Sequence, residues 1–300
     1  MSTSGSTHGS ILDSIQAVVA STSAESLGMR QIRRAAGQIL RDKLNGLKAT
    51  IKSVLPLRAL EVYRFLHNPA YALVYGPLNY NQDGLATAHR ADFLTDELFN
   101  ESYRLGESTG SFRENRIQWR AHVACWAASH AKLLEGDFVE CGVYRGGLSR
   151  AIINYIGFQN LPKRFYLLDT YEGLVDAYIS DEEKQRGKAA GGYEECYEAV
   201  KKTFEGFPNV RIIRGAVPET LSQVDTDKVA YLSLDMNCAP PEIAAAEFFW
   251  DKLVPGGLIL LDDYNWVGYE PQKRAFDAFA VRRGIKVLNL PTGQGLIIKP

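Results

Sequence analysis

The sequence predicts an α/β fold in which a doubly wound, mostly parallel, Rossmann-like sheet follows a helical N-terminal extension. In the C-terminal half, short runs rich in Val, Ile and Leu alternate with helical stretches, the pattern of parallel strands covered by helices on both faces. The last two strand candidates are separated only by residues 291–295, a link too short for a crossover helix. They therefore predict an antiparallel hairpin at the C-terminal end of the sheet.

The predicted elements are placed by their apolar spacing and by the turn residues between them. Two helices, at 91–106 and 115–134, precede the sheet. Seven strand candidates form the sheet: 137–141, 164–169, 210–214, 229–235, 258–262, 285–290 and 296–299. Helix candidates lie between the first six strands: 147–157, 193–206, 218–224, 241–252 and 270–283. Residues 67–90 are rich in Tyr, Asn, Gly and Pro and predict irregular chain.

The N-terminal part differs in composition from the rest of the chain. Residues 1–28 are rich in Ser, Thr and Ala and predict a disordered segment. Residues 29–118 are expected to form a helical extension or lid, and residues 119–300 the sheet domain. Apolar residues at three- and four-residue steps over 29–55, with basic residues between them, predict a basic amphipathic helix. Such a helix could dock on its own domain, on a sister subunit or on a membrane surface. The apolar content of 29–110 leads us to expect a homo-oligomer.

The charge balance argues against a nucleic-acid partner. The formal net charge is −1; residues 1–66 hold nine of the 34 basic and four of the 35 acidic residues, which leaves 25 and 31 for residues 67–300. No apolar run reaches the roughly 20 residues of a transmembrane span, and the first residues lack the order of a signal peptide. The four cysteines have no zinc-ligand spacing and predict small buried side chains in a reducing compartment. We therefore expect a cytoplasmic protein without a transmembrane span.

A glycine-rich turn, ECGVYRGGLS, follows the first strand of the sheet domain. From Glu140 the spacing is E-x-G-x-x-x-G-G, whereas a dinucleotide pyrophosphate needs G-x-G-x-x-G at a helix N-terminus. S-adenosylmethionine has no phosphate, but it needs close approach to the backbone and a carboxylate near its charged groups. Glu140 is placed to supply that carboxylate. A strand-to-helix turn with only a structural role is the alternative.

Asp169 ends the second strand of the sheet domain. Ligands of doubly wound sheets bind at the carboxyl ends of the strands, where a carboxylate can accept hydrogen bonds from both hydroxyls of a ribose. A helix N-cap is the alternative role for this residue. The charged segment 172–192 ends in glycines and predicts a mobile lid over this edge, or else a plain surface insertion.

Three carboxylates follow the fourth and fifth strands, namely Asp235, Asp262 and Asp263. The ends of adjacent parallel strands meet at one edge, so these side chains are expected to converge and to raise one another's pKa. A divalent cation would resolve the repulsion, and oxygen ligands suit Mg²⁺, Mn²⁺ or Ca²⁺. Such a metal could lower the pKa of a bound hydroxyl while a carboxylate takes its proton. Helix caps, or one Asp packed against Arg or Lys, are the alternatives.

The stretches GDFVECGVYRGGLS, YLLDTYEGL, VAYLSLDMN, VPGGLILLDDY and QKRAFDAFA, in this order, resemble the macrocin O-methyltransferase (TylF/MycF) family of class I S-adenosylmethionine-dependent methyltransferases. The resemblance runs from Trp119 to the C-terminus and implies the class I sheet, which ends with an antiparallel strand. It also implies that Asp235, Asp262 and Asp263 hold Mg²⁺ and that Asp235 is the catalytic base. The cofactor-binding candidates are Glu140, Gly142, Tyr144, Gly146, Ser149, Asp169, Thr170, Tyr171 and Gly215. Asn237 departs from the family, which often has a second acid there, so the acceptor pocket is expected to differ.

The predicted function is therefore S-adenosylmethionine-dependent, Mg-assisted O-methyl transfer to a hydroxyl of a sugar, a glycoside or another small natural product. The first alternative is a non-catalytic scaffold or sensor that binds S-adenosylmethionine. It would have no need of three convergent carboxylates. The second alternative, a nicotinamide-dependent oxidoreductase, is disfavoured by the missing G-x-G-x-x-G and by the terminal hairpin.

Overall fold

The computed structural model describes residues 78–300. The predictions of a disordered segment at 1–28 and of a basic helix at 29–55 lie outside the described residues. Within residues 78–300 no helix is both long and apolar enough to cross a bilayer. The four cysteines are buried and free, as predicted.

Strands and helices alternate along the described chain in the order that the sequence predicts. The strands are β1 (Tyr80–Gln82), β2 (Leu85–Thr87), β3 (Asp137–Cys141), β4 (Phe165–Asp169), β5 (Gly173–Leu174), β6 (Gly191–Gly192), β7 (Val210–Arg214), β8 (Val229–Leu234), β9 (Leu253–Leu261), β10 (Leu288–Asn289) and β11 (Gly295–Ile298). The helices are α1 (Glu97–Glu107), α2 (Gln118–Ala131), α3 (Gly147–Ile156), α4 (Asp181–Gln185), α5 (Tyr197–Phe204), α6 (Ala239–Trp250) and α7 (Glu270–Arg283).

Seven of these strands form one sheet, in the order β10-β11-β9-β8-β3-β4-β7. The strands β9, β8, β3, β4 and β7 run parallel, while β11 is antiparallel to both β9 and β10. The sheet and its terminal antiparallel strand confirm the predicted fold class. The strand order reverses next to β3, so the turns after β3 and β8 flank the switch point, where doubly wound sheets bind ligands.

Both faces of the sheet are buried because successive side chains on a strand point to opposite sides. On β3, Phe138 belongs to the core that contains Phe99 of α1 and Ala121 of α2. The next residue, Val139, belongs to the core that contains Phe249 of α6 and Phe276 of α7. Helices on both faces explain why the central strands read as continuous apolar runs.

Three local differences from the sequence prediction have physical reasons. The helix expected at 218–224 is only a 3₁₀ turn, Leu221–Gln223, since so short a segment has little helical stability of its own. The strand expected at 285–290 shrinks to β10 because Ile285 ends α7 instead: its N–H donates to the Ala280 carbonyl oxygen at 3.0 Å, beyond a left-handed Gly284.

The third difference is the β1–β2 hairpin, where the sequence predicts irregular chain. Its two-residue turn is Asp83-Gly84, with φ of +53° and +75°. Asp-Gly is a strong signal for such a hairpin turn, and it was present in the sequence.

Candidate active site

A cavity opens at the carboxyl ends of β3, β4 and β8, at the switch point of the sheet. Its floor is formed by the turns that follow these strands, and its far wall by residues between α1 and α2, such as Phe112 and Asn115. Eight of the residues that line it are predicted cofactor or catalytic residues: Glu140, Gly142, Tyr144, Asp169, Thr170, Tyr171, Gly215 and Asp235. Asp262 lines it as well, and Asp263 is buried next to Asp262.

Gly142 is required where β3 ends against β8. Its φ is +89°, and a Cβ at this position would lie 1.8 Å from the Asp235 carbonyl oxygen. No other residue could occupy this turn without separating the two strand ends. Gly146 is needed for packing, because a Cβ at this position would lie 2.5 Å from the Phe204 ring. Gly146 therefore serves helix packing and is not among the residues that line the cavity.

The Asp169 carboxylate braces the glycine turn. One oxygen accepts the backbone N–H groups of Val143 and Tyr144 at 2.6 and 2.7 Å, and the other accepts that of Tyr171 at 2.7 Å. This is neither a helix N-cap nor a free ribose acceptor. Ribose binding by Asp169 stays a prediction. Because a carboxylate oxygen can accept two hydrogen bonds, the ribose hydroxyls would share the Asp169 oxygens with these backbone N–H groups.

The remaining cofactor candidates divide into cavity walls and supports. Glu140 is buried and accepts the Ser149 hydroxyl, so Ser149 supports Glu140 from beneath the cavity. Thr170 donates its hydroxyl to the Gly173 carbonyl oxygen at 2.6 Å and closes a local turn. The Tyr171 hydroxyl donates to the Leu167 carbonyl oxygen at 3.0 Å, which directs its ring into the core. Burial raises the pKa of Glu140 to about 8, since the charged form loses its hydration.

Asp235, Asp262 and Asp263, the acid trio, converge as predicted. One oxygen of each lies within 4.8 Å of the others. The sheet causes this, because Leu234 pairs with Leu261 and the next residues of β8 and β9 emerge side by side. Asp263 Oδ2 is buried and has no hydrogen-bond partner among the described residues. A buried carboxylate oxygen without a donor is the kind of ligand that a divalent cation satisfies.

The acid trio is only partly neutralised by the protein. Burial raises the pKa values of Asp235 and Asp263 well above the usual range, and the neighbouring carboxylates raise them further. The protein itself supplies donors to Asp262: Arg120 Nη1 donates to its Oδ2 at 2.6 Å and Gln294 Nε2 to its Oδ1 at 3.0 Å. The packing of one Asp against an Arg, an alternative that the sequence left open, is therefore present alongside the convergence.

Arg120 is the most important residue that sequence reasoning missed. Its Nε and Nη2 also form a fork on the Asp83 carboxylate at 2.7 and 3.1 Å, and its guanidinium lies 5.3 Å from the Trp266 ring centroid. Burial alone would lower the pKa of Arg120, but Asp262 and Asp83 more than reverse this, so it stays charged. Arg120 is separated from Asp262 by 142 positions, so no local motif could reveal the contact.

A second missed group surrounds Asn237. The Asn237 amide donates to Asp235 Oδ1 at 3.2 Å, and its side-chain oxygen accepts the Tyr269 hydroxyl at 2.8 Å. The Lys188 ammonium donates to the Asn237 carbonyl oxygen and lies 4.0 Å from the Tyr269 ring centroid. Glu242, a fourth buried acid, accepts the Met236 N–H at 3.1 Å, and burial raises its pKa to about 8.

The segment 172–192, predicted as a lid, is fastened to the domain by several contacts. It contains β5, α4 and β6. The fully buried Glu183 caps α4 through Ser180 and accepts the Ala239 N–H of α6 at 2.8 Å. Arg186 pairs with Glu270 at the start of α7. These contacts hold the segment closed, and its opening stays a prediction.

Backbone strain is concentrated around the cavity. Five residues other than glycine have positive φ within residues 78–300: Asp83, Arg113, Tyr144, Tyr171 and Asn237. Tyr144, Tyr171 and Asn237 line the cavity, and Asp83 is held by Arg120. Strained backbone persists only where the surroundings enforce it, and it is enriched at functional sites.

Comparison with known proteins agrees with this geometry. The sequence model of the macrocin O-methyltransferase family (TylF) matches residues 114–289, more than half of the chain. The chain belongs to the macrocin O-methyltransferase family. The match begins just before α2 and so includes Arg120, the glycine turn and the acid trio.

One curated protein is similar to this chain in sequence. The chain is 31% identical over 140 residues to the 8-demethyl-8-(2,3-dimethoxy-alpha-L-rhamnosyl)-tetracenomycin-C 4'-O-methyltransferase of Streptomyces olivaceus, covering 43% of this chain and 53% of that protein. The chain thus spans about half the length of this relative.

Two solved structures share the fold. The O-methyltransferase NovP aligns with a TM-score of 0.55 and 18% identity, over 67% of this chain and 97% of that one. The calicheamicin methyltransferase CalS11 aligns with a TM-score of 0.51 and 15% identity, over 70% and 94%.

Proposed function

We propose that this protein transfers the methyl group of S-adenosylmethionine to a hydroxyl of a sugar, a glycoside or another small natural product. The observation that carries the proposal is the acid trio at the inner end of a cavity whose floor is the glycine turn. Family membership supports the cofactor and the reaction class. The tetracenomycin relative, whose name specifies a rhamnosyl acceptor, supports a sugar hydroxyl.

Each part of the cavity has a chemical role in this reaction. The turn at Gly142 would let the cofactor approach the backbone, and buried Glu140 would hold the charged amino-acid end of the cofactor. Asp235 accepts the proton of the attacking hydroxyl, a role suited to a carboxylate whose pKa burial and its neighbours raise. The acceptor oxygen forms a bond to the methyl carbon as the sulfur–methyl bond breaks, which leaves a methyl ether and S-adenosylhomocysteine. The protein supplies in-line positioning and the base.

The residues present fit a divalent cation. Asp235, Asp262 and Asp263 would hold Mg²⁺, and Asp263 Oδ2, which has no hydrogen-bond partner within residues 78–300, would be one of its ligands. A metal bound there lowers the pKa of a hydroxyl that contacts it. The Arg120–Asp262 pair does not compete for this role, because a carboxylate oxygen can accept more than one interaction.

The scaffold alternative receives no support from the site. A module that only binds S-adenosylmethionine does not need three carboxylates beside the cofactor, where their mutual repulsion and desolvation are unfavourable. A homo-oligomer also stays part of the proposal, and the mass of the full-length protein in solution tests it.

The deciding experiment is methyl transfer from labelled S-adenosylmethionine to a panel of glycosides, with Mg²⁺ and with a chelator. Asp235→Asn is expected to abolish transfer and to leave S-adenosylhomocysteine binding intact. Asp251→Asn, a change at an exposed acid at the end of α6, is the matched control and should transfer at the normal rate. Cofactor binding without transfer to any hydroxylated acceptor would contradict the proposal.

A further inference from the structure

A shallow second cavity adjoins the active-site cavity and is rimmed by two arginines. We call Arg113, Arg145, Tyr144 and Tyr193 the arginine rim; Gly110, Gly192 and Glu194 complete its lining. The two cavities share Tyr144 and Tyr193. A molecule whose hydroxyl reaches Asp235 could therefore extend past Tyr193 onto the rim.

Arg113 is an exposed cation that lies beside two tyrosine rings. Its guanidinium lies 5.4 Å from the centroids of both the Tyr144 and the Tyr193 rings. Within the described part of the chain it forms no ion pair, although Glu194 lies near enough to raise its pKa, and its backbone φ is +52°. Such stacking orients a guanidinium but leaves its N–H edge able to bind an anion.

Arg145 provides a second cation next to the first. It also lies over the Tyr144 ring, at 5.6 Å, and its Nη2 is 2.9 Å from the Glu194 carboxylate. The Glu194 side chain is 79% exposed, so this pair contributes little and an incoming anion can replace it.

The rim stands out against the charge of the rest of the domain. Residues 67–300 hold 25 basic and 31 acidic residues, whereas the rim carries two arginines and one glutamate. A neutral glycoside makes little use of two guanidinium groups. Phosphate and carboxylate match their planar donors in geometry and in charge.

Tyr193 connects the rim with the reacting end of the cavity. Burial, together with the nearby carboxylates Asp235 and Asp263, raises the pKa of its hydroxyl to about 12. Its ring also packs edge-on against Tyr144, with centroids 5.1 Å apart. One side chain thus faces the acid trio and the arginine rim.

We propose that the methyl acceptor is a hydroxylated compound with an anionic group, phosphate or carboxylate, which Arg113 and Arg145 bind at the rim. This inference rests on the proposed function, since it specifies the substrate class of the same site. A sugar phosphate, a nucleotide-linked sugar and a sugar acid share this chemistry.

The test measures binding to the full-length protein saturated with S-adenosylhomocysteine. The probes are glucose 1-phosphate, UDP-glucose and glucuronate, with neutral methyl glucoside as the comparison. At least one anionic probe is expected to bind about tenfold or more tightly than methyl glucoside, since charged hydrogen bonds are the strong ones. The preferred probe identifies the anion source, and its affinity should fall as salt rises. Equal binding of all four probes would overturn the proposal.

Variants separate the rim from the cofactor site. Arg113→Met and Arg145→Met should each weaken the anionic probe about tenfold and leave methyl glucoside and S-adenosylhomocysteine unchanged. Arg113→Lys should retain part of the affinity. Arg116→Met, at an exposed neighbour in the same link, is the control. If Arg113→Met weakens S-adenosylhomocysteine equally, the rim binds the cofactor's own carboxylate and the inference is wrong.

Failure of this inference is distinguishable from failure of the proposed function. If neutral glycosides are methylated and Arg113→Met has the same kcat/KM for them as the unchanged protein, the function stands and the inference fails. If anionic probes bind through the rim but no hydroxyl is ever methylated, the rim is an anion site and the proposed function fails.

Discussion

Replacement of Arg120 by Met tests how the charges of the site are balanced. The guanidinium, whose side chain is 16% exposed, pairs with Asp262 at 2.6 Å and with Asp83 at 2.7 Å. Arg120→Met fills similar space but leaves two carboxylates, 5% and 10% exposed, without their cation. Breaking a buried pair in this way costs about 3–5 kcal/mol. Because some water reaches Arg120, we expect the lower end of that range.

The predicted loss is large enough to measure by calorimetry. In a domain of this size, about 3 kcal/mol lowers Tm by roughly 6–12 °C. Scans in chelator should show this full drop for Arg120→Met and almost none for Arg116→Met. Mg²⁺ should recover part of the drop, because a cation at the acid trio replaces some of the lost positive charge.

Two results would refute the reasoning. If Arg120→Met has the same Tm as the Arg116→Met control, the ion pairs of Arg120 do not stabilise the fold. If Mg²⁺ shifts the Tm of neither the variant nor the unchanged protein, the acid trio does not bind the metal.

Three further predictions test other parts of the site. Gly142→Ala should abolish S-adenosylhomocysteine binding, because the new Cβ meets the Asp235 backbone. The free energy of unfolding should fall by more than the roughly 1–2 kcal/mol that left-handed backbone costs a residue other than glycine. Gly187→Ala, where φ is +93° and no atom lies near the new Cβ, is the control, and an equal loss for both variants in denaturant titrations would contradict this prediction. Burial raises the pKa of Glu140 to about 8, and the ammonium group of bound S-adenosylhomocysteine should favour the charged carboxylate. The affinity for S-adenosylhomocysteine should therefore rise with pH up to about 8 and then level off. Titration calorimetry should find no such rise in Glu140→Gln. Lys188→Met removes the contact with the Asn237 carbonyl oxygen and should speed amide hydrogen exchange over residues 184–192. Lys184→Met, at an exposed site, is the control and should not speed it. Unchanged exchange in Lys188→Met would show that the Lys188–Asn237 contact does not hold the segment.

The sheet could be predicted because its information is local. Each central strand is a run of apolar residues, and each helix shows apolar residues at helical spacing. The link before β11 is too short for a crossover helix, so it predicts a hairpin. The convergence of Asp235 with Asp262 followed from the same topology, since both residues come directly after adjacent strands. The strand predicted at 285–290 is present only as β10, because the first of these residues ends α7.

The partners of these acids could not be predicted because their contacts cross between distant segments. Arg120 lies on α2 with no motif around it, and Lys188 reaches Asn237 from the insertion after β4. The hydrogen bonds of Asp169 could not be predicted for a related reason. Its position at the strand end was correct, but its hydrogen bonds depend on how the glycine turn folds over it.

The replacement of an acid by Asn237 becomes understandable from the charges around it. The acid trio contains three carboxylates, and Arg120, which pairs with Asp262, also pairs with Asp83, so its single positive charge does not offset the trio. A further carboxylate at 237 would lie against Asp235, where contact between two like charges at hydrogen-bond distance is unfavourable. The amide instead donates to Asp235 and accepts from Tyr269, so it stabilises the charged form of the proposed base. The departure from the family pattern is therefore compatible with one divalent cation held by the three acids of the trio.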